Sequence, residues 1–396
     1  MRGIRRAALL PALLIGVDFL DELWSGVPSV GSPGIQAAFG LSYTRLALVL
    51  FVIPELLGFL LEPPLFILSD RLGRKRFVCS GLLVLALCSF VVGWTASLWV
   101  FAVAMALAFP ASGCGVHLAQ AALMDSDPEH RERLMTRWTF AGTLGDLAAP
   151  ALFAVLALFA WGWREASMMM GGVLFVYALL LIPHRFPPPN GNQEGGGATP
   201  RVLDSVRAAL RNRRLVAWLF GVWLCSLLDE ILVVFGSLRM RDLGFDLAAR
   251  SVALAACSFG ALIGLALCDR WLRRGDPLRL LALASTSCLA LYLGWLALPS
   301  APLGPILLFG VGLASAPLYP IAMAQAYRSL PDQAGMVSAL GHLFFPLTVA
   351  LPFALGVIAD TLGLVASLLV LLAQPAGLLV LALMGRPPVS PGERDR

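Results

Sequence analysis

Apolar runs of bilayer-crossing length recur along this chain, and no other feature narrows its possible folds so far. A helix rising about 1.5 Å per residue needs about 20 apolar residues to cross a hydrocarbon core of about 30 Å. Runs near that length lie at roughly residues 7 to 29, 43 to 68, 77 to 96, 98 to 122, 135 to 160, 165 to 183, 214 to 238, 247 to 268, 278 to 297, 303 to 326, 335 to 358 and 362 to 384. They are continuous rather than alternating in polarity, which predicts helices and not barrel strands. Of the 396 residues 59% are hydrophobic and 13% charged, with a mean hydropathy of +0.82. A soluble core cannot hide that much apolar surface. The expectation is an all-α membrane protein with twelve transmembrane helices.

Arginine placement sets the expected orientation. The amino terminus, the even-numbered loops and the carboxyl terminus hold 24 of the 29 Lys and Arg, and the odd loops hold Arg45, Arg164, Arg239, Arg241 and Arg250. Basic residues favour the cytoplasmic side, so both termini are expected in the cytoplasm and the chain in a bacterial inner membrane. The net charge of +5 is accounted for by this topology signal, and no nucleic-acid partner is expected. The opening Met1 to Arg6 followed by an apolar run looks like a signal peptide, but Asp18, Asp21 and Glu22 interrupt it, so a retained first helix is expected. The seven cysteines show no C-x-x-C spacing and read as small buried hydrophobes, with no metal site and no cofactor implied.

A linker from Pro187 to Gly197, dense in Pro and Gly, cannot hold a helix. The arginine-dotted stretch from Arg201 to Arg214 after it is expected to lie along the anionic leaflet as a surface helix. It divides residues 1–184 from 214–396 by a cytoplasmic linker at 185–213. The two parts echo one another. Leu20-Asp21-Glu22-Leu23 returns as Leu228-Asp229-Glu230-Ile231, Ser69-Asp70-Arg71 as Cys268-Asp269-Arg270, and Gln120-Ala121 as Gln325-Ala326. Leu144-Gly145-Asp146-Leu147 returns as Leu340-Gly341-His342-Leu343, and the four offsets are 208, 199, 205 and 196 residues. Two parallel six-helix repeats, giving two pseudo-symmetric bundles, account for such a series.

The stretch Ser69-Asp70-Arg71-Leu72-Gly73-Arg74-Lys75-Arg76 resembles the signature that the major facilitator superfamily carries between its second and third helices, G-x-x-x-D-[RK]-x-G-[RK]-[RK]. Asp70, Arg71, Gly73, Arg74 and Lys75 match, while Phe66 stands at the leading glycine. The resemblance implies a major facilitator fold, with Gly73 making the tight turn, Asp70 facing the positive end of a neighbouring helix and Arg74 pairing across the contact between halves. Within that superfamily, Phe39 to Arg45 running through to Asp70, and Gly142-x-x-Gly145 with Ala149-Pro150, are similar to the fosmidomycin-resistance type of drug exporter. Two departures stand out: the fourth helix has no arginine, and Glu55 and Glu62 stand where related exporters often have neutral residues.

The polar residues inside the spans carry the functional expectation. An ionised carboxylate at mid-bilayer costs at least about 2.5 to 3.5 kcal/mol, yet the spans hold Asp18, Asp21, Glu22, Glu55, Glu62, Asp146, Asp229 and Glu230 against almost no deep base. Asp18, Asp21, Glu22 and Ser25 fall on one stripe of the first helix and are expected to face a common cavity. Glu55 and Glu62 share a face of the second, where Pro63-Pro64 is expected to break the helix. His117 reads as a structural histidine, and Asp146 and His342 occupy matching places of the fifth and eleventh helices, from which they either pair across a pathway or are satisfied separately, Asp146 within its own half and His342 by backbone carbonyls. Acids screened from water exchange protons near neutral pH, which is what proton coupling requires. The expected partners are therefore a small-molecule substrate, protons and the bilayer, and the chain is expected to act as a monomer. An acid-lined path suits an amphipathic or cationic compound, and the exporter resemblance implies efflux by antiport. Uptake by symport, a lipid-like substrate, and a receptor or scaffold of the same fold are the alternatives. No Walker loop, G-x-S-x-G or H-E-x-x-H points to an enzyme.

Overall fold

A computed structural model of the chain describes residues 2–127, 131–187, 207, 209–272, 275–298, 302–330, 337 and 340–385. Every element among them is helical. In chain order they are α1 Arg2–Val30, α2 Ser32–Phe39, α3 Tyr43–Ala47, a π-helical turn Leu48–Val52, α4 Ile53–Leu72, α5 Arg74–Trp94, α6 Leu98–Ser126, α7 Arg131–Ala157 and α8 Trp163–Leu181. There follow α9 Arg213–Leu224, α10 Glu230–Asp242, α11 Leu247–Leu272, α12 Pro277–Ala297, α13 Leu303–Ser315, α14 Leu318–Ser329, a 3₁₀ turn Gly341–Phe344, α15 Phe345–Leu362, α16 Leu364–Val370 and α17 Ala373–Met384. Most of the Pro and Gly linker, and most of the surface helix expected over Arg201 to Arg214, lie outside the described residues.

Ten of the expected spans are long and apolar enough to cross a membrane among the described residues. The two others are the two that carry the acidic pairs. One is α1, with Asp18, Asp21 and Glu22 in its middle; the other is the α9–α10 stretch, whose helix gives way to turns at residues 225–229. With these, the described residues carry helices at all twelve expected places, the all-α class that the sequence implies.

The second span departs from expectation in where it is irregular. The helix runs on through Pro63 and Pro64, and the irregularity comes earlier, at the π turn, where the Ile53 N–H bonds the Leu48 carbonyl. Pro54 has no N–H to give to the ordinary helical ladder, and one extra residue in the turn before it absorbs that loss. At the far end Gly73 takes φ +98°, a left-handed value that a side chain resists, and so turns the chain directly from α4 into α5.

Packed by their contacts, the described residues form two units. The first gathers those within 1–195, 230–258 and 346–368; the second gathers those within 196–229, 259–345 and 369–396. In the first, α5 packs between α6 and α8, and α1 lies along α7 and α6. Side chains tie α1 in place: the Trp24 indole donates to Ser89 at 2.9 Å and the Tyr177 hydroxyl to the Leu13 carbonyl at 2.7 Å. In the second, Leu215, Trp218 and Leu219 of α9 bury against Leu281, Leu318 and Leu378. Asn212 caps α9 through Leu215 N at 3.1 Å and also donates to the Ser329 carbonyl at 2.8 Å.

Candidate functional site

Four of the expected acids converge in one chamber of the first unit, and Glu62 joins them. The cavity, of about 240 Å³, is lined by Asp21, Glu22, Glu55, Glu62 and Glu230 together with Trp24, Ser25, Ser29, Phe51, Phe109, Ser112 and His117 among others. Its position follows from local sequence. Asp21, Glu22, Ser25 and Ser29 continue one stripe of α1, and Glu55 and Glu62 lie seven residues apart on α4. On α6 the small residues Ser112 and Gly113 make room: the Ser112 hydroxyl donates to Asp21, and Glu62 lies where a side chain on Gly113 would be. Glu55 Oε2 is buried and has no hydrogen-bond partner among the described residues. Among the described residues, no arginine or lysine lines the chamber.

Asp18 belongs to the same stripe but does not reach the cavity. It is 6% exposed and faces α7, where a Cβ on Gly142 would stand 2.7 Å from its Oδ2. One turn on, a Cβ on Gly145 would stand 2.5 Å from the Phe19 carbonyl and 2.8 Å from the Glu22 Cβ. The Gly-x-x-Gly pattern of the fifth span is therefore the seat of the acidic stripe. Asp146 is exposed on α7 and is not among the chamber residues, and the side chain of His342 lies outside the described residues, as does that of Asp70. Asp229 ends the turns before α10 and belongs to the second unit, where the N–H of its neighbour Leu228 donates to Gln374 at 2.8 Å.

Arg74 was expected to pair across the two halves. Its described partner is Asp125, at 2.6 Å, which ends α6 within the same half. Arg74 opens α5 and Asp125 closes its antiparallel neighbour α6, so the two ends meet at the same level.

Above the chamber runs a ladder that sequence reading missed. Glu230, Val234, Ser237 and Arg241 lie on one face of α10, and each meets α1 or α2: Ser29 donates to Glu230 at 2.8 Å, Ser32 to the Val234 carbonyl at 3.4 Å, Ser237 to the Val30 carbonyl at 3.3 Å, and Arg241 to Gln36 at 2.6 Å. Beyond it Asp360, near the end of α15, accepts from Tyr43 N and Thr44 N at 2.9 Å each and from the Thr44 hydroxyl at 2.6 Å, while the Tyr43 hydroxyl donates to Asp242 at 2.9 Å. These bonds join segments hundreds of residues apart on the odd-loop side. Ser29 was legible as the next step of the α1 stripe; Ser112, Gln36 and Asp360 had no signal, because nothing in one sequence says which distant helix they meet.

Helices of span length in this number, with a chamber of acids inside the first unit, define a polytopic membrane protein. Residues 19–352 match the Major Facilitator Superfamily, and the chain belongs to that superfamily. It is 26% identical over 227 residues to the membrane sensor protein UhpC of Salmonella typhimurium, and 26% identical over 219 residues to that of Escherichia coli. Each match takes in 50% of this chain, which spans about half, 49%, of the relative. Among solved structures the nucleoside transporter NupG is similar with a TM-score of 0.72 at 13% identity, over 95% of this chain and 98% of that one. The D-xylose-proton symporter gives 0.71 at 13%, over 96% of each chain. A bacterial homolog of the human lysosomal transporter Spinster, inward-facing and unoccupied, gives 0.69 at 16%, over 97% and 99%. At these identities the likeness is one of fold.

Proposed function

We propose that the chain is a proton-coupled antiporter that exports a small amphipathic or cationic compound by alternating access, its halves 1–184 and 214–396 joined by the linker at 185–213. The observation that carries this reading is the chamber itself: five carboxylates, Asp21, Glu22, Glu55, Glu62 and Glu230, share about 240 Å³ without a lysine or arginine among the described lining residues. Carboxylates so placed accept either protons or a cation, and one occupant displaces the other. An anion meets only repulsion there unless protons accompany it. Trp24, Phe51 and Phe109 supply aromatic faces beside the acids, which suits a protonated amine on an apolar frame. The cavity lies below the usual range of about 300 to 1,000 Å³ for ligand pockets, which favours a compact compound. The coupling step we assign to Glu230, with Asp21, Glu22 and Asp229 as the other exchanging groups. Ser29 holds Glu230 at the foot of the α10 ladder, so a proton or substrate on that carboxylate weakens the bond and loosens α10 from α1. The likeness of the second and fifth spans to the fosmidomycin-resistance type supports export as the direction.

The relatives support a second reading, because the proteins matched at 26% identity are named membrane sensors. On that reading the chamber binds its ligand and transmits occupancy without moving it. Purified protein in liposomes separates the two. An antiporter gives proton flux that depends on an added organic cation and on the pH gradient; a sensor gives saturable binding with no flux. Flux driven in the opposite sense, with compound and proton entering together, would replace export by uptake.

A further inference from the structure

The second unit carries a crevice of about 810 Å³ that the transport reading does not use. Its walls come from the end of α11 (Leu267, Trp271) and from α12 (Leu280, Leu283, Leu291), and its floor from Gly310, Leu313 and Ala314 of α13. Small residues create it: Ala284, Gly310 and Ala314 leave open the space that the flanking leucines would otherwise fill. α11, α12 and the stretch Leu303–Ser329, of which α13 is the first part, are each of membrane-crossing length and composition. Leu283, on its wall, is 67% exposed, so the crevice is open along its side.

Its two ends differ. The body is apolar, and from Leu280 to Leu291 it follows α12 for eleven residues, about 16 Å at about 1.5 Å per residue. That is the depth of one leaflet of a hydrocarbon core of about 30 Å. The mouth, on the even-loop side, is basic. Arg270 and Arg279 both line it, and Arg273 and Arg274 lie in the connecting sequence. Asp276 also lines the mouth; one of its oxygens caps α12 by accepting from Leu278 N at 3.0 Å and the other pairs with Arg279 Nε at 3.8 Å, so one carboxylate stands against two guanidinium groups. The Arg279 side chain is 82% exposed, and a surface pair of this length contributes little, so a phosphate can compete for it.

A leaflet-deep apolar slot with guanidinium groups at headgroup level is complementary to one kind of molecule. We propose that the α11–α12–α13 crevice binds an anionic glycerophospholipid, one acyl chain lying against Leu280, Leu283 and Leu291 and the phosphate held by Arg270 and Arg279. Basic pockets between transmembrane helices bind such headgroups by the same logic.

The test uses the full chain, purified in detergent and incubated with phosphatidylglycerol or phosphatidylcholine of identical acyl chains, with retained lipid counted by native mass spectrometry. The wild type is expected to retain phosphatidylglycerol roughly 25-fold better, about fivefold for each arginine. R270Q/R279Q should erase the preference, R270K/R279K should keep most of it, and excess inorganic phosphate should not displace the lipid. A charge-matched change on the opposite face, R45Q/R239Q, should leave the preference intact. Equal retention of the two lipids by the wild type, an unchanged preference in R270Q/R279Q, an equal loss in R45Q/R239Q, or displacement by phosphate would each overturn the proposal. Should the double variant fold poorly, R279Q alone alters an exposed side chain and should show its own roughly fivefold loss; no loss in R279Q would overturn the role of that arginine.

Discussion

The dipeptide Asp-Glu occurs twice in apolar sequence, and the fold treats the two copies differently. Asp21-Glu22 sits in the middle of an unbroken helix, α1, where the acids are held sideways by Ser112 of α6 and by the glycines of α7. Asp229-Glu230 sits where the seventh span breaks, with α9 ending at Leu224 and α10 beginning at Glu230. There Glu230 stands in the first turn of a helix, whose unpaired N–H groups and dipole favour a negative charge. Mid-helix acids depend on neighbouring helices for their partners, whereas an acid at a helix start has part of its partner built into its own backbone. The second pair is also divided, Glu230 packing with the first unit and Asp229 with the second, whereas Asp21 and Glu22 stay together in the first.

The comparison can be broken most sharply at the acids. D21N and E230Q are each expected to lower pH-gradient-driven transport at least about tenfold, since a hydrogen bond to a charged group contributes about 1.5 to 3 kcal/mol. D229N should do likewise. Wild-type rates in D21N and D229N, measured in liposomes under an imposed gradient, would remove these groups from coupling. Next come the seats that hold each pair. In G145V the new side chain meets the Phe19 carbonyl and Glu22, an overpacking expected to cost about 1 to 3 kcal/mol, read as a lower melting temperature in detergent. Its counterpart is Q374A, which leaves the buried Leu228 N–H without its acceptor and should destabilise by about 1 to 3 kcal/mol. A melting temperature unchanged in Q374A but lowered in G145V would mean that only the first pair is held by its surroundings.

Smaller effects are expected at the connecting bonds. D360A removes the acceptor for Tyr43 N and Thr44 N, which acts as a helix cap supplied by a distant segment. The loss of a capping side chain costs about 0.5 to 2 kcal/mol, so the odd-loop side should open more often, detected as faster thiol labelling of a cysteine placed at Ser42. S29A should have the mildest consequence, a change of a few fold in apparent substrate affinity, because Glu230 keeps its place at the start of α10. An effect of S29A as large as that of E230Q would show that the serine, and not the helix start, holds the carboxylate.

Much of this was open to reading along the chain. Span length and continuous apolarity required helices, because lipid offers backbone groups no partners. The offsets near 200 residues pointed to two repeats, and the i, i+3, i+4 and i+7 spacing put Asp21, Glu22 and Ser25 on one face of α1. The same spacing included Asp18, which the fold turns toward Gly142 instead, since a stripe covers more of a helix surface than one cavity. The proline pair at 63 and 64 misled, because a transmembrane helix can carry proline when neighbours or local adjustments satisfy the freed carbonyls.

The sequence by itself determined the class of protein, the number of spans, and which of them carry charge, since these follow from local periodicity and from the cost of charge in hydrocarbon. Only the tertiary structure decided that Glu55 and Glu62 share a chamber with Asp21, Glu22 and Glu230, that the seventh span breaks at its acids while the first does not, and that Asp360 caps a helix start more than 300 residues earlier. Those outcomes depend on which surfaces meet across long separations, where small residues such as Gly113, Gly142 and Gly145 permit an approach that their own neighbours in sequence do not reveal.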